Sequence, residues 1–505
     1  MKLAILHYHL AAGGVTRVIA NHLRSIDESG TVDGVLLIHD GNRSGFPEAS
    51  FSFPVRHAAL AEMAYRESAE IASGLADAIE WELLDAGFGK TETVLHVHNH
   101  SLGKTTTVAA ALSTLLDRGW SVLYQIHDFA EDFRPSGYAR MREAFGDRFG
   151  PTVYPQQAGA HYATLTSGDA AVLRGAGVAT ERLHLLPNPV LTGDRPETND
   201  QRTTARRRMA DVLNVPLDAS YWVYPVRGIR RKNLGEACLI AAAMHDTGVV
   251  VGVTLTPENP RERPQHDRWT EVAESLGLPI RFGTGDRGRL TFAENLAAAD
   301  SILTTSISEG FGMVFLESWL NGLPLVGRDL PDVTADFKNV GVDLSMLSPV
   351  RLVRLEWFDF DGLAERYRVA YGDLHRQYRQ PLLGFDAFRA TFVDPITQAG
   401  NIDFGRLDEI AQREVIQTVV DDPAAAATVR DGVIVVDDAN LIAGNANVVQ
   451  EQFGAIASGR RLRTVYEAVL STPSVSADHP IDADAILTAP THGKLSLAKF
   501  RLLRT

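Results

Sequence analysis

Residues 300–324 place the strongest local constraint on what this chain can fold into. Asp300-Ser301-Ile302-Leu303-Thr304-Thr305 is a short β-prone run, Glu309-Gly310-Phe311-Gly312 follows, and an apolar-periodic segment then runs to Asn321-Gly322, a helix stop. The order is strand, glycine loop, helix. The first turn of a helix leaves backbone N–H groups unpaired and carries partial positive charge, which suits a phosphate. Gly310 and Gly312 lack a Cβ, so a ligand can approach the backbone and unusual dihedrals are open. Glu309 falls on the loop and Glu317 on the helix. Carboxylates repel phosphate, so this pair suits the hydroxyls of a sugar or ribose. Taken alone, either glutamate reads as a solvated group at an ordinary junction.

The same alternation recurs along the chain. Strands are expected near residues 2–8, 35–38, 93–100, 121–126 and 163–167, then near 221–226, 249–255 and 280–283, with residues 58–84 helical in composition. Strands alternating with helices argue for an α/β chain with parallel sheets and crossover connections. With 505 residues and 45% apolar residues there is material for two to four domains. The net charge of −14 argues against a general nucleic-acid binder. One cysteine, Cys238, excludes an internal disulfide framework and a thiolate zinc cluster, and a reducing cytoplasm is the expected compartment. The amino-terminal apolar run is too short for a signal peptide, and no window approaches the roughly 20 apolar residues of a membrane span.

Several strand ends carry polar groups, where open α/β sheets hold ligands. Gly13 and Gly14 open a helix after the first strand; a tight βα turn explains them equally well, and Gly-x-Gly-x-x-Gly is absent. His96, His98 and His100 would share one face of a strand, yet no neighbouring carboxylate completes a metal site. A sugar or phosphate contact from His98, Asn99 or His100 and simple hydrogen bonding within the sheet edge stay open together. Lys104 precedes a helix expected to be capped by Ser101 and either meets an anionic group or is a surface lysine; His98 stands where a P-loop needs glycine. The run from His127 through Asp128, Glu131, Asp132 and Arg134 makes a poor core and a good site. The loop of Arg227, Arg230, Arg231 and Lys232 places cations before a helix, where they could neutralise a departing diphosphate; Arg230 and Arg231 are expected to be exposed. Asp359-Phe360-Asp361 and Asp482-Ala483-Asp484 lack a sheet-strand context, so no metal is assigned.

Together, Glu309-Gly310-Phe311-Gly312, Glu317 at the spacing of eight, and the trailing Asn321-Gly322-Leu323-Pro324-Leu325-Val326 resemble the E-x7-E signature of retaining GT-B glycosyltransferases, especially family four. The likeness extends over residues 1–375. It implies two Rossmann-like domains facing a central cleft: an acceptor domain (1–190), a linker (191–204), a nucleotide-sugar domain (205–400) and a mainly helical extension (401–505), part of it crossing back to the first domain. It further implies that Glu309 contacts the donor hexose, Glu317 the ribose, and the backbone amides of Gly312, Met313, Val314 and Phe315 the diphosphate, with Gly310 and Phe311 also at the donor. Arg227 and Lys232 would neutralise the diphosphate, His127 would meet the sugar, and Gly13 and Gly14 would border the donor. Asp128 matches a His-Asp pair of the family, and Arg134 lies outside the motif. Val226 stands before Arg227 where the family often has glycine.

The expected activity is retaining transfer of a hexose from a nucleoside-diphosphate sugar of UDP-glucose or GDP-mannose type to a small polar or anionic hydroxyl acceptor. The acceptor contacts would be His98, Asn99, His100, Lys104, Asp128 and Arg134. No tightly bound cofactor and no metal are expected. The alternatives are glycosylation of a lipid or polysaccharide, with the basic segment 499–504 touching a membrane surface, a sugar-nucleotide epimerase or phosphorylase on the same architecture, and a non-catalytic sugar-nucleotide sensor.

Overall fold

The computed structural model describes residues 1–30, 32–191, 198–471, 481–489 and 493–505. The chain divides into two compact units. The first comprises Met1–Leu191, Leu374–Gln380 and Gln450–Lys499; the second comprises Thr192–Asp373, Pro381–Val449 and Phe500–Thr505.

The first unit is built on β1 (Lys2–Leu6), β2 (Gly34–His39), β3 (Val55–Ala59), β4 (Thr93–His98), β5 (Ser121–Ile126), β6 (Ala160–Thr164) and β7 (Leu183–Leu185). They form one sheet in the order β3-β2-β1-β4-β5-β6-β7, every pair parallel. All six residues of β2 and of β4 are buried, as expected of parallel strands covered on both faces. The helix Gly14–Ser29 turns Val18, Ile19, Leu23 and Ile26 inward and stops at Gly30, whose φ of 58° suits glycine. Leu462, Val465, Tyr466 and Val469, from the helix Ala455–Ser471, complete that core. These two helices approach so closely that a Cβ on Gly459 would lie 2.2 Å from the Ser25 carbonyl oxygen.

The second unit holds β8 (Ser220–Arg227), β9 (Val249–Leu255), β10 (Ile280–Phe282), β11 (Ser301–Thr304) and β12 (Leu325–Gly327), parallel in the order β10-β9-β8-β11-β12. A small antiparallel sheet joins Leu352–Arg354, Asn401–Asp403 and Thr397–Gln398. In both main sheets the chain first winds one way and then returns to the other side of its first strand. The reversals fall between β1 and β4 and between β8 and β11, and such switch points open a crevice at the carboxyl ends of the strands.

The second unit also buries four charges. Arg328 donates from Nη2 to Glu236 Oε2 at 2.6 Å and to Asp403 Oδ1 at 2.8 Å, and Arg351 Nε stands 3.5 Å from Glu236 Oε1. None of these four residues is more than 7% exposed.

Four local expectations are corrected. Residues 58–84 are not one helical stretch: Val55–Ala59 pairs with β2 as an edge strand, and a helix begins only at Leu75, after Gly74 at φ 88°. The strand expected through residue 100 ends at His98, because Asn99 adopts φ 61° and turns the chain. Within the expected linker, a Thr198–Gln201 capping box starts the helix Asn199–Leu213, while residues 192–197 lie outside the described residues. The helix after Lys104 is capped by Thr105, whose Oγ1 accepts from the Thr107 amide, and not by Ser101.

Candidate functional site

The loops after β8 and β11 are sewn together in the second unit. The Ile307 amide donates to the Arg231 carbonyl at 3.0 Å, Thr305 Oγ1 to the Lys232 carbonyl at 3.0 Å, and Tyr224 OH to the same carbonyl at 2.9 Å. This brings Glu309 against two cations: Lys232 Nζ donates to Oε1, and Arg231 Nη1 donates to Oε2 at 2.7 Å. Burial opposes ionisation of Glu309, and the two cations overcome it, holding the carboxyl at about 2. Burial also draws Lys232 below the usual lysine range, against the pull of Glu309. Arg231, expected to be exposed, is instead a half-buried partner of Glu309. Arg227 lies apart from this trio, 3.5 Å from Glu258, at a cavity of 630 Å³ also lined by Thr256, Arg263, Asp286 and Arg287.

Along the glycine loop, Phe311 and Phe315 are core residues, 4% and 0% exposed, and Phe311 packs edge-on against Phe337. Only their backbones can serve a ligand. Glu317 is half-buried on the helix Val314–Leu320, which follows Gly310, Gly312 and Met313. Gly312 has φ 80°, and a Cβ there would fall 2.7 Å from Phe315 Cδ2 and 3.0 Å from Val333 Cγ1. Gly312→Ala is therefore expected to destabilise the chain by about 1–3 kcal/mol, and an unchanged urea midpoint would contradict this account of the loop.

In the first unit, the ends of β1, β4 and β5 meet through Asn99. Its Oδ1 accepts from the amides of His127 at 2.9 Å and Asp128 at 3.0 Å. Tyr8 OH donates to the Asn99 carbonyl at 3.0 Å. His100 Nε2 bonds the Val153 carbonyl at 2.7 Å. His98, Asn99 and His100 are at most 3% exposed, and their hydrogen bonds run to other groups of the first unit. His127 is 7% exposed and reaches the surface of this group. Asp128 and Arg134 form an ion pair at 3.0 Å, and Tyr378 OH donates to the Ala130 carbonyl at 2.8 Å while accepting from the Arg134 amide at 2.8 Å. Lys104 is exposed, its ammonium 5.1 Å from the centre of the Tyr65 ring. Gly13, fully extended, caps the helix that Gly14 begins. Glu131, within the polar run after β5, is fully buried: burial pushes its carboxyl up to about 7, and Tyr154 OH donates to it at 3.0 Å.

His22, His96 and His98 each offer a ring nitrogen, all within 4.8 Å of one another. The ring planes make angles of 23° between His22 and His96, 27° between His96 and His98, 40° between His22 and His98, and 27° between His98 and His127. The group is a cluster of buried imidazoles.

No family model matches this chain. Over 356 residues it is 26% identical to mannosylglucosyl-3-phosphoglycerate synthase of Petrotoga mobilis, covering 67% of each chain. Among solved structures it is similar to sucrose-phosphate synthase of Thermosynechococcus elongatus, with a TM-score of 0.53, 15% identity, and 94% of this chain and 100% of that chain covered. The chain has the GT-B glycosyltransferase fold. Another GT-B structure, Anabaena Alr3699/HepE in complex with UDP, matches with a TM-score of 0.52, 12% identity, and 93% and 100% coverage. Among the described residues no helix is long and apolar enough to cross a membrane. Near the basic segment, Phe500 is 1% exposed and packs on Tyr367, Tyr371 and Phe392, so it does not present that ring to a lipid surface.

Sequence reasoning placed Arg231 in the cation loop only as an exposed group, and missed Tyr8, His22 and Tyr378. Arg231 stands in the cation loop itself, and only the loop's fold separates it from Arg227. Tyr8 directly follows His7 at the end of the first strand, but neither His22 nor Tyr378 carries a local signal.

Proposed function

We propose that this GT-B chain is a retaining hexosyltransferase that uses a nucleoside-diphosphate sugar and an acceptor bearing an anionic group. The observation that carries the reading is the Lys232–Glu309–Arg231 constellation at the switch point of the second sheet. A departing diphosphate gains negative charge, and cations fixed in advance stabilise it more as it leaves than before. Lys232, Arg231 and Arg227 supply that charge, while the backbone of Gly310 to Phe315 meets the phosphates. Glu309, kept ionised by its two cations, accepts hydrogen bonds from the sugar hydroxyls, and Glu317 from the ribose. His127 is assigned to the donor sugar. The departing phosphate takes the proton of the acceptor hydroxyl, so the acceptor–sugar bond forms as the sugar–phosphate bond breaks.

For the acceptor, the Petrotoga relative is named for a glycosylated 3-phosphoglycerate, and Lys104 and Arg134, the latter paired with Asp128, are the cationic groups near the strand ends of the first unit that support the reading. Transfer to a lipid is less well supported, since the terminal aromatic ring is packed into the protein.

The test is thermal stabilisation by UDP, GDP and ADP, run on the protein and on Glu317→Ala. A ligand selective for the folded state at 100 times its Kd adds about 2.7 kcal/mol, a shift of several degrees for a chain of this size. One nucleotide is expected to shift the wild type, and Glu317→Ala to respond less. The matching nucleotide sugar should then release its sugar faster with a phosphorylated glycerate acceptor than without one. No shift from any nucleotide in folded protein would overturn the donor assignment, and weight would move to a phosphorylase using free phosphate.

A further inference from the structure

His98 Nδ1 and His127 Nε2 stand 2.8 Å apart, deep in the first unit. Only one proton fits between them, and two neutral arrangements are open. In one, His98 Nδ1–H donates to His127 Nε2. His98 Nε2 is then a bare lone pair, and His127 carries its own proton on Nδ1. In the other, His127 Nε2–H donates to His98 Nδ1, and His98 carries an N–H on Nε2.

The surroundings of His98 decide between them. His98 is 1% exposed, and its Nε2 is sealed from solvent with no hydrogen-bond partner among the described residues. An orphaned buried N–H loses a strong donor bond to water, and such donors are rarer in folded proteins than under-used acceptors. A proton on His98 Nε2 is therefore the worse choice. A charged pair is also disfavoured: burial holds His98 well below its ordinary value and His127 at about 4, so both rings are neutral.

We infer that His98 is a positioning residue that fixes the tautomer of His127, so that a neutral His127 presents Nδ1–H to the bound sugar. The ring is also clamped from elsewhere. Its own amide bonds Asn99 Oδ1, and its ring meets His98 edge to edge, with centroids 5.1 Å apart and 27° between the planes, as an in-plane N–H···N bond requires. The His7 ring adds a contact of Nδ1 to the His98 carbonyl at 3.3 Å, which holds the backbone at His98. A donor N–H selects an oxygen that accepts: a sugar hydroxyl through its lone pair, not one that must donate there.

The assignment of a sugar to His127 rests on the proposed function, whereas the tautomer does not. The experiment separates them with two substitutions and two readouts. In His98→Asn the new side-chain amide nitrogen sits about where imidazole Nδ1 sat and can still donate to His127 Nε2; in His98→Leu nothing can. The first readout is ring-nitrogen NMR of histidine-labelled protein, assigned with His127→Gln. His127 is expected to carry its proton on Nδ1 in the wild type and His98→Asn, and to lose that preference in His98→Leu. The second readout is transfer, where His98→Leu is expected to have kcat lower by about tenfold or more, with KM for the donor little changed, and His98→Asn to sit well above it. A merely structural role gives the opposite order, because leucine suits a buried apolar site better than asparagine. A wild-type His127 protonated on Nε2, or a His98→Leu protein with wild-type tautomer and kcat, would overturn the inference. Should His98→Leu not fold, the wild-type spectrum alone decides the tautomer. Should no nucleotide sugar be turned over, the proposed function fails while the spectra still report on His98.

Discussion

Lowering the pH from 7.5 to 5.5 is expected to cost this protein about 3 kcal/mol or more of unfolding free energy. Burial holds His7 and His96 at about 3 and His100 and His127 at about 4, against an ordinary 6.5. The unfolded chain takes up protons below pH 6.5 that the folded chain refuses, so stability falls as the pH falls through that value and goes on falling toward pH 4. One unit below 6.5 each such group contributes about 1.4 kcal/mol, roughly 5 kcal/mol for the four. His22 and His98, also far below their ordinary values through burial, act in the same direction. Glu131 acts against them: burial keeps it protonated up to about 7, so acidification relieves a penalty of about 2 kcal/mol. Urea unfolding followed by tryptophan fluorescence at the two pH values measures the balance. Equal midpoints would mean that these imidazoles are not buried and neutral.

Replacing Arg328 with leucine is expected to destabilise the chain by about 3–5 kcal/mol, among the largest effects of any single substitution. Arg328 is 3% exposed, and its guanidinium answers two carboxylates at once, from Glu236 and Asp403. Burial opposes the ionisation of Asp403, and Arg328 reverses the effect and draws it below the usual carboxylate range. Without Arg328 both carboxylates face a low-dielectric interior, where Arg351 reaches Glu236 only at 3.5 Å and Arg501 acts on Asp403. Asp403 also accepts from the Arg351 and Gly405 amides at 2.9 and 3.2 Å, so the small sheet around Asn401–Asp403 is expected to loosen as well. Thermal unfolding of Arg328→Leu beside Arg351→Leu checks this; equal, small losses in both would show that the network carries little weight.

What could be read in the sequence was local. Strand, glycine loop and helix around Glu309-Gly310-Phe311-Gly312 lie within one stretch, and so does the cation loop from Arg227 to Lys232. What could not be read needed a partner far away in sequence or one unusual backbone angle. Alternation of His96, His98 and His100 suggested one strand face, and a single residue, Asn99 at φ 61°, sends His100 toward Val153 instead. The third ring beside His96 and His98 is His22, from a helix more than 70 residues earlier. Glu236, Arg328, Arg351 and Asp403 span separate elements, and each looks like an ordinary surface charge in its own segment. Val55–Ala59 has helix-compatible neighbours, but β2 offered it an open edge to pair with.

The fit of Gly459 against Ser25 has a consequence for how the protein is made. The helix Gly14–Ser29 leaves the ribosome early, while the helix that covers its apolar face is not complete until Ser471. At about 5–20 residues per second, the 280 residues between Leu191 and Ser471 take roughly 15–60 s to translate. Throughout that interval Ile19, Leu23 and Ile26 lack Leu462, Val465 and Val469. The nascent first sheet thus waits for a distant piece of its own core, and chaperones that bind exposed apolar segments have their longest opportunity there.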